Sequence, residues 1–186
     1  MSDQKYALLG LLGPSIAIIF IATSIVLSPW FSWGNSALSD LGHSVYSDVA
    51  PLFNFGLLLS GFLTIMYSIT SFKKQAKYTS YFLAFAGLSL QMVATFDEVY
   101  SYLHNQVSVL FFAALAFASI VYIIEKRSTV AAAALVIGLS SWILYGLKIY
   151  NSGIAVPETV SAVAVATWVM LSAYKIYFKK QSTHVD

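Results

Sequence analysis

The sequence predicts an all-α membrane protein, a bundle of six transmembrane helices with both termini in the cytoplasm. Three observations predict it. Hydrophobic residues fill 59% of the 186 positions and charged residues only 10%, whereas a soluble domain carries about a quarter charged residues. Six apolar stretches each reach the roughly 17 to 25 residues that cross a bilayer. Nine of the ten lysines and arginines fall on one side when the chain is threaded through those six stretches.

The helices are expected at 6–28, 51–72, 78–96, 106–124, 129–147 and 157–178, within a single domain spanning 1–186. The first stretch exceeds a signal-peptide core and no small-x-small cleavage site follows it, so it reads as a retained helix. Gly13-Pro14 falls early in it, where a kink is tolerated if neighbours satisfy the freed carbonyl. Pro51 and Pro157 open the second and sixth helices, a position at which the missing N–H costs nothing. Gly56, Ser60 and Gly61, then Ala84, Ala86 and Gly87, then Ala131 to Ala134, are small residues that let helices approach closely in lipid. No internal repeat is evident.

Orientation follows from the basic residues. Lys5, Lys73, Lys74, Lys77, Lys126, Arg127, Lys175, Lys179 and Lys180 share one side, and Lys148 alone lies on the other. The positive-inside rule then makes the nine-residue side cytoplasmic, in a multi-pass protein of the cell membrane. A net charge of +2, scattered as it is, excludes a nucleic-acid partner; membrane lipids are the expected partners, together with other membrane subunits. The absence of cysteine excludes disulfides, thiolate metal sites and a cysteine nucleophile.

The opposite side holds one long connection, residues 29–50, and two shorter ones, 97–105 and 148–156. Trp30 and Trp33 suit the aromatic belt at the interface. Asp40, Asp48, Asp97, Glu98 and Glu158 gather there, five of the eight acids, with His43 and His104. Asn54 and Gln91 lie one to two turns further in, so the polar groups extend inward as a vestibule.

Several chemistries fit this inventory. Asp40, His43, Asp97 and His104 combine imidazole and carboxylate, a donor set suited to zinc or another divalent metal. In that reading Glu98 is the general base beside an activated water. The alternative is structural: Asp40 caps a short helix, Asp97 caps the fourth long helix and His43 is solvated. Lys148 is expected to pair with Asp97, Glu98 or Glu158, in a structural polar cluster with Asn54 and Gln91. Glu158 also falls in a first helical turn, where the dipole favours an acid. Ser39 beside Asp40 and four before His43 makes a serine nucleophile conceivable. That Ser-x-x-x-His pattern is similar to one in the alkaline ceramidase superfamily, but seven helices and a later His-x-x-x-His pair are missing here. The only further histidine, His184, lies in the tail. Two histidines on one face also fit haem poorly, since axial ligands usually face each other from helices within a bundle.

The run Asn35-Ser36-Ala37-Leu38-Ser39-Asp40-Leu41-Gly42, followed by Pro51-Leu52-Phe53-Asn54-Phe55-Gly56-Leu57, resembles the domain-of-unknown-function-998 family of prokaryotic integral membrane proteins. That family pattern has Leu-Ser-Asp-Leu-Gly after the first helix, Asn-x-Gly in the second, and later an acidic turn, a histidine and a Phe-rich helix. Phe96-Asp97-Glu98, His104 and Phe111-Phe112 match the later part, without the proline often found in the acidic turn. The resemblance covers residues 7–178 and implies that Ser39, Asp40, Gly42, Asn54 and His104 form a shared core of the external half. The six-helix layout is more distantly similar to the eukaryotic autophagy-modulator and GPI-remodelling proteins, which implies lipid handling at the non-cytoplasmic surface.

Two function classes follow. The favoured one is a non-enzymatic lipid-binding or accessory subunit, its polar cluster locking the long connection over the bundle. The other is a metal-assisted lipid hydrolase or transferase at the outer leaflet.

Overall fold

A computed structural model describes residues 2–179. Lys180 and His184 lie outside the described residues. A short helix α1 (Ser2–Ala7) leads through a turn at Leu8 into α2 (Leu9–Val26). Then come α3 (Ala50–Ile69), α4 (Lys77–Thr95), α5 (Tyr102–Lys126), α6 (Thr129–Gly146) and α7 (Ala155–Lys179). Single 3₁₀ turns interrupt three of the connections, at Ser39–Gly42, Phe72–Lys74 and Glu98–Tyr100.

Among the described residues five helical stretches are long and apolar enough to cross a membrane: Lys5–Val26, Ala50–Lys74, Tyr102–Lys126, Thr129–Gly146 and Ala155–Phe178. The expected sixth, α4, falls short because Thr79, Ser80, Ser89 and Gln91 dilute it. Its hydroxyls are satisfied by donation inside the bundle, Ser80 to Lys77 O at 2.7 Å and Ser89 to Phe85 O at 2.9 Å. Packed between α3 and α5, it is shielded by its neighbours.

The six long helices close into a ring. Each packs on the next in sequence, and α7 returns to α2. Contact across the ring, between α5 and α7, is thin, which leaves room inside. Two devices hold the ring. The first is backbone approach at Gly61 of α3 and Gly87 of α4. A Cβ on Gly61 would meet Gly87 O at 2.6 Å, and one on Gly87 would meet Gly61 O at 2.8 Å. Beside this crossing Gln91 Nε2 donates to Leu58 O at 3.2 Å, so the amide joins the same seam.

The second device is an aromatic plug at the end of the bundle that carries Lys73, Lys74, Lys126 and Arg127. Tyr67, Phe72 and Trp168 are almost wholly buried there. Tyr122 stacks on Trp168 with centroids 4.7 Å apart, and Tyr67 on Phe72 at 5.2 Å. The polar tips of Trp168 and Tyr67 find partners: Trp168 Nε1 donates to Ser119 Oγ at 3.1 Å, and Tyr67 Oη meets Ser172 Oγ at 2.9 Å. At the same end α4 starts without a side-chain cap of its own. Glu125 of α5 supplies one, accepting from Thr79 N at 3.0 Å, Tyr78 N at 3.3 Å and Thr79 Oγ1 at 2.7 Å. A carboxylate on the orphan N–H groups of a helix start is favoured by hydrogen bonding and dipole alike.

Because the α3–α4 seam leaves no space for a side chain, Gly61→Ala should lower stability in detergent by roughly 1–3 kcal/mol through overpacking. Gly146→Ala, which meets nothing within 4 Å, should change it by less than about 1 kcal/mol and in the stabilising direction. Thermal unfolding of the two variants checks the contrast.

Candidate functional site: a clamped cap over an apolar cavity

The connection between α2 and α3 folds back over the other end of the ring. Three consecutive residues in it, Ala37, Leu38 and Ser39, each meet a different carboxylate. Ala37 N donates to Asp40 Oδ2 at 2.8 Å, closing the turn locally. Leu38 N, buried, donates to Glu158 Oε2 of α7 at 2.7 Å. Ser39 Oγ donates to Glu98 Oε1 at 2.5 Å. A buried backbone donor must find an acceptor, and here an acid 120 residues away in sequence provides it.

Further ties complete the cap. Asp97 caps the 3₁₀ turn Glu98–Tyr100, accepting from Val99 N at 2.9 Å, and its other oxygen accepts from Ser44 N at 3.3 Å. Asn54 Nδ2 donates to Gly42 O at 2.8 Å, and Ser47 Oγ donates to Leu41 O at 2.8 Å. The α6–α7 connection joins by backbone pairing, Gly153 N to Trp33 O at 2.9 Å and Ala155 N to Ser36 O at 3.0 Å. Only glycine fits at that crossing, since a Cβ on Gly153 would come 2.4 Å from Ser36 O.

His104 is buried within the first turn of α5, which begins earlier than the sequence predicts. The chain reaches it through Ser101, whose φ of 44° lies in the left-handed region. Its Nδ1 lies 2.7 Å from Phe96 O, a carbonyl that can only accept, so Nδ1 carries the hydrogen. Nε2 then faces Ser108 Oγ at 3.2 Å and Glu98 Oε1 at 3.4 Å. The contact with Glu98 is attractive only with a proton on Nε2 or on the carboxyl group. Ser39, Glu98, His104 and Ser108 therefore form one connected polar chain.

Of the expected metal ligands, Asp40 and Asp97 are engaged with backbone N–H groups as above. His43 serves its own turn: Nδ1 accepts from Val45 N and Tyr46 N, each at 3.3 Å, and the ring packs on Tyr46 at 4.4 Å. Among the described residues no three His, Asp or Glu side chains group as metal ligands. Asp40, His43, Asp97 and His104 thus share one end of the bundle without converging. Asp97 caps the 3₁₀ turn rather than α5 itself.

The expected pairing of Lys148 is corrected. Lys148 is exposed, with φ of 54°, and no salt bridge joins it to Asp97, Glu98 or Glu158 among the described residues. The α6–α7 connection docks through Gly153 and Ala155, and the left-handed turn at Lys148 leaves that side chain outside. Of the polar cluster Asn54, Gln91, Lys148 and Glu158, only Asn54 and Glu158 hold the cap. Gln91 belongs to the α3–α4 seam. Ser108 and Glu125 were not singled out from the sequence. The uncapped start of α4 was the available signal for Glu125; Ser108, one turn after His104, could be found from that spacing.

Beneath the cap lies apolar space. A cavity of about 330 Å³ runs inside the ring between α2, α3, α4, α5 and α7, past Ala162, Ala166 and Leu83. A second, about 570 Å³, lies between α5, α6 and α7. Ser39, Ser108 and Glu158 border both. Leu83 and Val169, deep in the first, pack into the aromatic plug, so that cavity ends there. From Glu158 to Val169 the helical rise amounts to about 16 Å.

An all-helical ring with five stretches of membrane-spanning length and a polar-capped apolar interior defines a multi-pass membrane protein. The chain belongs to the family described as Protein of unknown function (DUF998), whose model matches residues 11–175. No curated protein and no solved structure matches it.

Removing the acceptor of Leu38 N should be costly. Glu158→Ala leaves a buried donor unpaired and should lower stability by about 1–3 kcal/mol. Glu158→Gln keeps an amide oxygen for that bond and should cost clearly less. The order of the two thermal midpoints in detergent checks this.

Proposed function

We propose that this protein is a non-enzymatic lipid-binding or accessory protein of the cell membrane, which holds the apolar chain of an amphipath inside its ring and the polar head under the clamped cap. The observation that carries the reading is the cavity of about 330 Å³ running inward from Ser39, Ser108 and Glu158. It is more than twice the roughly 150 Å³ that accommodates benzene, and small-molecule sites of about 300–1,000 Å³ are lined in this way, apolar with a few convergent polar groups. In this reading the acidic end faces the non-cytoplasmic side and both termini are cytoplasmic, which is supported by Lys73, Lys74, Lys77, Lys126 and Arg127 in the connections and helix ends opposite.

The metal-assisted hydrolase reading has less support. Asp40 and Asp97 are already used by the cap, accepting from Ala37 N, Val99 N and Ser44 N, and no three His, Asp or Glu side chains group as ligands among the described residues.

Filling the cavity tests the proposal. Ala162→Phe combined with Ala166→Phe should reduce the lipid that co-purifies in mild detergent by about tenfold or more, read by native mass spectrometry. Ala133→Phe, on the exposed face of α6, should leave it unchanged. Equal lipid on all three proteins, each folded by its thermal transition, would contradict the reading.

A further inference from the structure

We propose that Glu158 is the counter-ion for an amine-headed amphipath, a single apolar chain ending in a primary ammonium; this rests on the lipid-binding reading above and names its ligand class. A lipid chain moving from bilayer to cavity exchanges one apolar surrounding for another, so chain burial supplies little net drive. Selectivity has to come from the head. The chemistry where the two cavities meet decides which head fits.

Glu158 is nine-tenths buried. Its Oε2 accepts from Leu38 N, while Oε1 has no hydrogen-bond partner among the described residues. The residue borders both cavities, as do Ser39 and Ser108. Among the described residues no lysine or arginine lines either space. A buried carboxylate without a cation is costly, and an ammonium supplies both the missing charge and three donors. One donor would be taken by Oε1, leaving two for hydroxyl acceptors such as those of Ser39 and Ser108 in the same lining. Glu98, in the same cavity wall, adds a second acid nearby. A phosphate or carboxylate head would meet like charge with no lysine or arginine among the described lining residues to offset it.

Three probes with one chain and different heads test this: oleylamine, oleyl alcohol and oleic acid, each added to delipidated protein and counted by native mass spectrometry at neutral pH. The wild-type protein should retain oleylamine about tenfold or more over oleic acid. Glu158→Gln, which keeps an acceptor for Leu38 N, should lose that preference and still bind oleyl alcohol. Asp48→Asn, at an exposed acid of the same end, should keep it. Oleic acid bound as well as oleylamine by the wild-type protein would overturn the assignment, as would a preference surviving in Glu158→Gln or lost in Asp48→Asn. Displacement of oleylamine by ethanolamine alone would overturn the lipid as the source of the amine. Retention of none of the three probes would instead overturn the lipid-binding reading itself.

Discussion

The hydrogen bond from Leu38 N to Glu158 is the contact on which the upper half of the molecule depends. A connection of this length laid over a membrane bundle carries backbone donors into a place without water. Each must find an acceptor or remain on the surface. Glu158 reaches from α7 to take one, Glu98 takes the neighbouring Ser39 hydroxyl, and Asp97 takes Ser44 N. The acids of this end are thereby spent largely on holding chain to chain. That use explains why they sit close together with no lysine or arginine salt bridge among the described residues: they are acceptors first and charges second.

The same arrangement creates the space below. The long connection is anchored at its middle by α7 and by the 3₁₀ turn before α5, so it bridges the ring instead of sinking into it. The thin contact between α5 and α7 then stays open, lined by small and apolar residues, and the aromatic plug around Trp168 closes the other end. Cap and plug together define an interior that is apolar along its length and polar at one limit. An amphipath has that shape. Glu158 differs from the other acids of this end in bordering both cavities, and the proposed recognition of an amine rests on that position.

Much of the architecture was legible in the sequence because bilayer thickness and hydropathy leave few choices. Helix ends came within a few residues for α3, α4, α6 and α7, and the separation of acids from bases followed from counting charges. The length of α4 suits a span, but its Ser, Thr and Gln content, satisfied partly within the helix and partly by α3 and α5, places it below the apolarity of the other five. The site was harder. The sequence shows which acids share an end, but not that Glu158 would bond an amide 120 positions earlier, since such a pairing depends on how the ring closes. Lys148 illustrates the converse: charge complementarity favoured a salt bridge, and a left-handed turn put the side chain outside. His104 moved from a connection into α5 because Ser101 turns the chain sooner than hydropathy indicates.

Amide hydrogen exchange over residues 37–44 in detergent micelles tests the central claim most directly. If the carboxylates clamp this connection, Leu38 and Ser44 exchange slowly, on the timescale of amides in α3. Exchange there as fast as in the exposed stretch around Lys148 would contradict the account, because an open connection neither needs those acids nor covers a cavity.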